Sequence, residues 1–111
     1  MRTLAALKRR YEQDAPAVQL GGLASNLSRI AWHAQQGGER PAVRLFRESK
    51  YFTEWAAPRC PPDQQGLLAE VQLRLAMWER GWGSRLTPAA IAQEARQWSV
   101  ELLETAGLLH E

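Results

Sequence analysis

The chain is poor in the residues that would anchor covalent or metal chemistry. It has one cysteine, Cys60, so no disulfide can form within it, and the composition suits a reducing compartment. It has two histidines, His33 and His110, and no Glu-x-x-His pair, so a di-metal carboxylate bundle lacks its ligands. Cys60 stands among prolines with no second cysteine, and a metal there would need ligands from distant elements. No apolar run approaches the ~18 residues of a membrane span, and the N-terminus, charged throughout, does not read as a signal peptide. These features lead us to expect a cytoplasmic protein with no membrane association and no cofactor. Val, Ile and Thr number only ten together in 111 residues, which leaves little material for a sheet.

Leucine and alanine dominate instead, and both favour helix. Hydrophobic residues are 45% and charged residues 23%, as in an ordinary globular domain. The length suits one domain, residues 1–111, with a core that needs no metal or disulfide. The net charge of +2 is too small to point to nucleic acid by itself. Its distribution is uneven: residues 1–59 hold ten Arg/Lys against five Asp/Glu, and residues 60–111 hold four against seven. The two halves are expected to attract each other within the fold or between subunits.

Periodicity predicts five helices. In residues 2–13, Leu4, Leu7 and Tyr11 share a face, and Asp14-Ala15-Pro16 ends the helix. In 17–36, Leu20, Leu23, Leu27, Ile30 and Ala34 keep 3-4-3-4 spacing up to Gly37-Gly38. Pro41 opens a helix over 41–56, with a predicted stripe of Leu45, Ser49, Phe52 and Ala56 flanked by Ala42 and Phe46. Residues 57–62, rich in proline, form a linker. Residues 67–82 read as the central helix: Leu67, Leu68, Val71, Leu75, Trp78 and Trp82 fall in one arc of roughly 100°. Thr87-Pro88 reads as an N-cap followed by a first-turn proline, and the helix over 88–106 buries Ile91, Ala95, Trp98 and Leu102. Short connections between long helices predict an all-α antiparallel up-down four-helix bundle with an additional short N-terminal helix.

Five tryptophans are a surplus for this length. Trp78, Trp82 and Trp98 lie in core stripes, and Trp55 lies at the edge of one. Trp32 lies opposite the core stripe of its helix, on a face shared with Gly21, Ser25 and Ser28 at spacings of 4, 3 and 4. Small residues in a row let another element approach closely. The N-terminal helix is the nearest candidate to cover them, and a second subunit the next. The predicted central helix has a second apolar face, Ala69, Leu73, Ala76 and Met77, expected to lie between neighbouring helices or at a subunit contact. Arg40, Arg44, Arg47 and Lys50 form a basic face, which Glu48 and Glu54 are placed to neutralise at i+4 from Arg44 and Lys50.

Arg29 and His33 are similar to the Arg…His pair of the helical HEPN ribonucleases, but the spacing departs from that family's, and no ribonuclease activity is expected. The blocks RESKYFTEWAAP (47–58) and LAMWERGW (75–82) resemble a family of small all-helical cyanobacterial proteins, with no activity to carry over. No catalytic, metal-binding or phosphate-binding constellation stands out. The sequence therefore points to a non-enzymatic protein-interaction or assembly module, a homodimer or the partner of another protein, using Gly21, Ser25, Ser28, Trp32, Trp55, Leu73 and Met77. Two other readings rank below it. One is a regulatory module binding nucleic acid through Arg40, Arg44, Arg47 and Lys50. The other is a helical bundle holding a small apolar ligand or pigment.

Overall fold

The computed structural model describes residues 3–108, and it is all-α. Its helices are α1 (Leu4–Glu12), α2 (Pro16–Gln35), α3 (Glu39–Ala56), α4 (Pro62–Gly81) and α5 (Pro88–Thr105), with one 3-10 turn, Ala57–Arg59. No strand occurs among the described residues, only a lone bridge between Trp82 and Leu86. Local chemistry sets most boundaries. Thr87 Oγ1 accepts from Ala90 N at 3.1 Å and Thr3 Oγ1 from Ala6 N at 3.1 Å, each satisfying a donor that a helix start leaves without an intrahelical partner. Pro16, Pro62 and Pro88 open their helices, where a missing N–H costs nothing. Gly37 and Gly107, at φ +70° and +73°, follow α2 and α5 in the left-handed conformation that ends a helix.

The helix at the centre is α2, not α4. Leu20, Leu23, Leu27 and Ile30 are fully buried, and so are the small residues Ala24, Ala31 and Ala34. α5 is its most extensive neighbour and is similarly small on its buried side, with Ala92, Ala95 and Ser99. Side chains this short let two helix axes come close, and Ser99 Oγ donates to the carbonyl of Ala24 at 2.8 Å across the contact. On its other flank α2 meets α3, where the buried Asn26 donates to Glu48 Oε2 at 2.9 Å and to Ser49 Oγ at 3.3 Å. α4 then packs on α3, inserting Leu68, Val71, Leu75 and Trp78. The Phe46 ring lies between Trp78 and Trp82, at centroid distances of 6.1 and 6.3 Å. α4 and α5 meet mainly through side chains. Trp78 Nε1 donates to Glu94 Oε1 at 3.2 Å, and the Arg74 guanidinium lies 5.9 Å from the centroid of the Trp98 ring. Few of their backbone positions are close, and the body is flattened, 38 × 36 × 22 Å.

Two predicted stripes are rotated. On α3 the buried residues are Ala42, Phe46, Ser49, Phe52, Thr53 and Ala56, with Leu45 only half-buried. On α5 Ser99 takes the inward position and Trp98 is half-buried. On α5 the smaller residue turns inward, whereas on α3 the larger Phe46 takes the inward place of Leu45.

α1 folds back onto α3. The Tyr11 ring stacks on Phe52 at 4.0 Å and an interplanar angle of 16°. Its hydroxyl donates to the Gln19 carbonyl at 2.6 Å, and Gln19 Nε2 donates back to the Tyr11 carbonyl at 3.0 Å. Gln19 Oε1 stays buried without a partner, so part of this polar latch opposes folding. Arg59 closes the arrangement from the far end of α3, donating to the carbonyls of Glu12 and Asp14 at 2.9 and 2.8 Å. α1 therefore lies to one side of α2, sharing a cleft with Gly22, Ser25 and Arg29, and leaves Trp32 uncovered, contrary to the expectation that the N-terminal helix covers it.

The two tryptophans of the α4–α5 contact should differ in weight. Trp78 is 1% exposed, so Trp78→Ala should cost about 3–5 kcal/mol in urea unfolding. Trp98→Ala, at a half-buried ring, should cost less than half as much. Equal losses would contradict this packing.

Candidate interaction surfaces

The core takes up roughly 160° of α2's circumference at 100° per residue, and Trp32 points away from it. The ring is 59% exposed, and its aromatic neighbour is His33, edge-on at 5.1 Å. Val18, 53% exposed, lies at the other end of the same face, and Ser25 and Ser28 lie between them, open to solvent. Gly21 has a reason internal to the chain. Leu108, beyond the end of α5, crosses α2 there so closely that a Cβ on Gly21 would lie 2.8 Å from Leu108 Cδ1. What remains open is Val18 on one side of that crossing and, on the other, a ridge from Ser25 to Trp32, roughly 10 Å long at 1.5 Å per residue.

Trp55 does not join this ridge. It is half-buried in an aromatic cluster with Tyr51 (5.5 Å), Phe52 (6.0 Å) and Tyr11 (6.0 Å), which ties α1 to α3.

Leu73 and Met77 form a separate patch on α4. The predicted burial between neighbours is not found: they are 54% and 42% exposed, and Ala69 is exposed as well. α4 has α3 on one side and α5 on the other, and this face turns from both. The patch lines a surface cleft of about 510 Å³ together with Lys50, Ala76, Glu79 and Arg80. A second cleft of about 220 Å³ runs on past Arg80, Gly81, Arg85 and Leu86.

The basic face of α3 is wired differently from the expectation. Neither Arg44–Glu48 nor Lys50–Glu54 pairs. Glu48 is taken by Asn26, and Glu54 accepts from Gln72 Nε2 at 3.4 Å. Lys50 and Arg47 instead reach across to Glu79 on α4, at 2.9 and 3.2 Å. Burial alone would raise the Glu79 pKa, but the hydrogen bonds and charges of Lys50 and Arg47 outweigh it and hold the carboxyl below its ordinary value. A basic half and an acidic half thus meet at one carboxylate. Sequence reasoning missed Glu79 because its partners lie on another helix. Arg40 and Arg44 remain exposed along a cleft of about 630 Å³ with Glu39, Val43 and Arg47.

Cys60 is buried, and burial raises its thiol pKa against the weaker opposing pull of Arg59. Tyr11 is shifted upward by burial, then by Cys60 and Asp14. Among the described residues no three of His, Cys, Asp and Glu cluster closely enough to hold a metal ion. His33 is half-buried beside Trp32, and His110 lies outside the described residues.

Among the described residues the all-α fold thus exposes apolar side chains on the outer face of α2, around Trp32, and on the outer face of α4, at Leu73 and Met77 beside Lys50 and Arg80. No family model, no curated protein and no solved structure matches this chain.

Two measurements check the electrostatics. Because Glu79 titrates below its ordinary value of about 4.5, its pairing stabilises the fold above that pH and is lost as pH falls below it. Glu79→Gln should therefore flatten the stability–pH curve in that acid window, and an unchanged slope would show that the pair is energetically idle. Cys60 should react slowly with a thiol reagent at neutral pH in the native protein and quickly after unfolding in urea. Rapid native labelling would mean that the Ala57–Cys60 segment opens readily.

Proposed function

We propose that this protein is a non-enzymatic interaction and assembly module that pairs with a second copy of itself through the outer face of α2. The observation that carries this reading is Trp32, a large ring 59% exposed on a helix whose other side is fully used by the core. Burying such a ring contributes roughly 1.5–3 kcal/mol. A two-fold contact presents the same patch on both copies, so a suitable patch must tolerate its own charge. The α2 ridge does: Ser25, Ser28 and Trp32 are uncharged, as is Val18 beyond the crossing of Leu108, and Arg29 lies at its edge. Ser25 and Ser28 on the ridge let two copies of α2 approach closely, with the indole rings packing on either side.

The fold reading that goes with this is an antiparallel up-down bundle of α2–α5, with α1 on its flank and the α4–α5 side open. Its support is the sense of the cross-links. Gln64 donates to the Thr105 carbonyl while Trp78 donates to Glu94. Lys50 pairs with Glu79 while Glu54 accepts from Gln72. We place the protein in the cytoplasm, in keeping with its single cysteine and with helices none of which, among the described residues, is long and apolar enough to cross a membrane. The clefts lie at the surface and are lined by charged side chains, which favours neither a pigment nor another apolar ligand.

Sedimentation should give the parent twice the 12.5 kDa mass of the chain. Ser25→Arg should give the monomer mass with helix content and melting of the monomer preserved, because the long side chain wedges the two ridges apart. Leu73→Glu should keep the parent mass. A monomeric parent removes the proposal, and a dimeric Ser25→Arg variant moves the contact elsewhere.

A further inference from the structure

Three surface clefts on α3 and α4 are linked by shared or paired side chains. Met77 and Arg80 line two of them, Lys50 and Glu79 line the larger of those, and Arg47, which binds Glu79, also lines the third with Arg40 and Arg44. Together they make one continuous strip from the start of α3, over the α3–α4 seam, to Arg85 beyond the end of α4.

The strip is strongly one-signed. It carries Arg40, Arg44, Arg47, Lys50, Arg80 and Arg85 against Glu39 and Glu79. Glu79 is spent on Arg47 and Lys50. Among the described residues, Arg40, Arg44, Arg80 and Arg85 have no carboxylate within 4.0 Å. Leu73 and Met77, one helical turn apart and about half exposed, line one of these clefts beside Lys50 and Arg80.

We propose that this strip docks an acidic amphipathic helix of another protein, whose apolar side chains rest on Leu73 and Met77 while its carboxylates meet Arg44, Arg80 and Arg85. The charge decides the occupant. A second copy would bring the same cations onto themselves, and like charges set against each other cost several kcal/mol. Nucleic acid would use the cations but leave the aliphatic pair without a role, since bases need an aromatic platform for stacking. Leu73 and Met77 form part of a cleft wall with Lys50 and Arg80, a concave shape that suits a helix better than a flat bilayer. An apolar seam with oppositely charged flanks is the complement of an amphipathic helix in a groove, and methionine adapts its shape to such partners. This proposal does not depend on self-association through α2.

The test uses a short synthetic helix, dye-labelled, with leucines at i, i+3, i+4 and i+7 and glutamates elsewhere, titrated with the full chain and followed by fluorescence anisotropy. Saturable binding that weakens with added salt is expected. Arg80→Glu combined with Arg85→Glu, and separately Leu73→Glu, should each weaken it by about tenfold or more, as loss of charged contacts or of a central anchor does. All three residues are solvent-accessible, and unchanged circular dichroism would show that the variants fold. Ser25→Arg should bind like the parent, which separates this surface from the α2 contact. Absence of saturable binding overturns the proposal, as does equal binding of a control peptide with lysine in place of glutamate. Tighter binding of duplex DNA, or of vesicles of equal parts phosphatidylserine and phosphatidylcholine, lost in the same variants, would also overturn it by assigning the strip to another class of partner. A fall in the parent's mass caused by Leu73→Glu would overturn it in favour of self-contact.

Discussion

The close approach of α2 and α5 is the constraint from which the rest of the molecule follows. It is possible because the residues between them are small: Ala24, Ala31 and Ala34 on one helix, Ala92, Ala95 and Ser99 on the other. The Ser99 hydroxyl is bonded to the Ala24 carbonyl inside the contact, so a polar group is buried without being left unsatisfied. With α5 on one flank and α3 on the other, the inner side of α2 is fully used. Its outer side, beyond the crossing of Leu108 at Gly21, is open to solvent, and Trp32 is on it. The exposure of that ring follows from the geometry of the core rather than from loose packing.

The second consequence concerns α4. It reaches the core through α3, and its contacts to α5 pass through the ends of long side chains at Trp78, Arg74 and Glu94. A helix held mainly on one side keeps a free outer face, and here that face carries Leu73 and Met77. The Glu79 carboxylate fixes the neighbouring seam by drawing Arg47 and Lys50 off the surface of α3. Those two cations are thereby positioned, while Arg40, Arg44, Arg80 and Arg85 remain available. One ion-pair cluster thus holds two helices together and frames the apolar patch. Exposed pairs of this kind contribute only ~0–1 kcal/mol each, so the cluster matters more for placement than for stability.

Much of the architecture was legible in the sequence because it is written locally. Thr87-Pro88, the Gly37 stop and the proline linker mark boundaries through backbone chemistry that needs no tertiary partner. The choice of a centre was not local. Trp78 and Trp82 give α4 the heaviest apolar stripe and made it look central, whereas the real centre is chosen by how closely neighbours can approach. Alanines decide that, and they add little to a stripe read by hydrophobicity. The docking of α1 was equally hidden, since it rests on reciprocal bonds between Tyr11 and Gln19 and on Arg59 reaching back from the end of α3. The i+4 ion pairs expected along α3 gave way to Glu79 and Asn26, partners on other helices with better geometry. Of the candidate surface residues, Trp32, Ser25, Ser28, Leu73 and Met77 are exposed, whereas the sequence had favoured the N-terminal helix as the cover for the Trp32 face and burial between helices for Leu73 and Met77. Gly21 and Trp55 have internal roles that only the packing of Leu108 and of the aromatic cluster discloses.

The central claim is that one side of α2 builds the fold and the other meets a partner copy. Fluorine NMR of the protein labelled with 5-fluorotryptophan reads this directly, with the Trp32 signal assigned from a Trp32→Phe sample. As the protein is diluted from dimer to monomer, the Trp32 resonance should move and gain a solvent isotope shift between H2O and D2O, while the signals of Trp78 and Trp98 stay in place. A Trp32 resonance that is solvent-exposed and unmoved at every concentration would contradict the account.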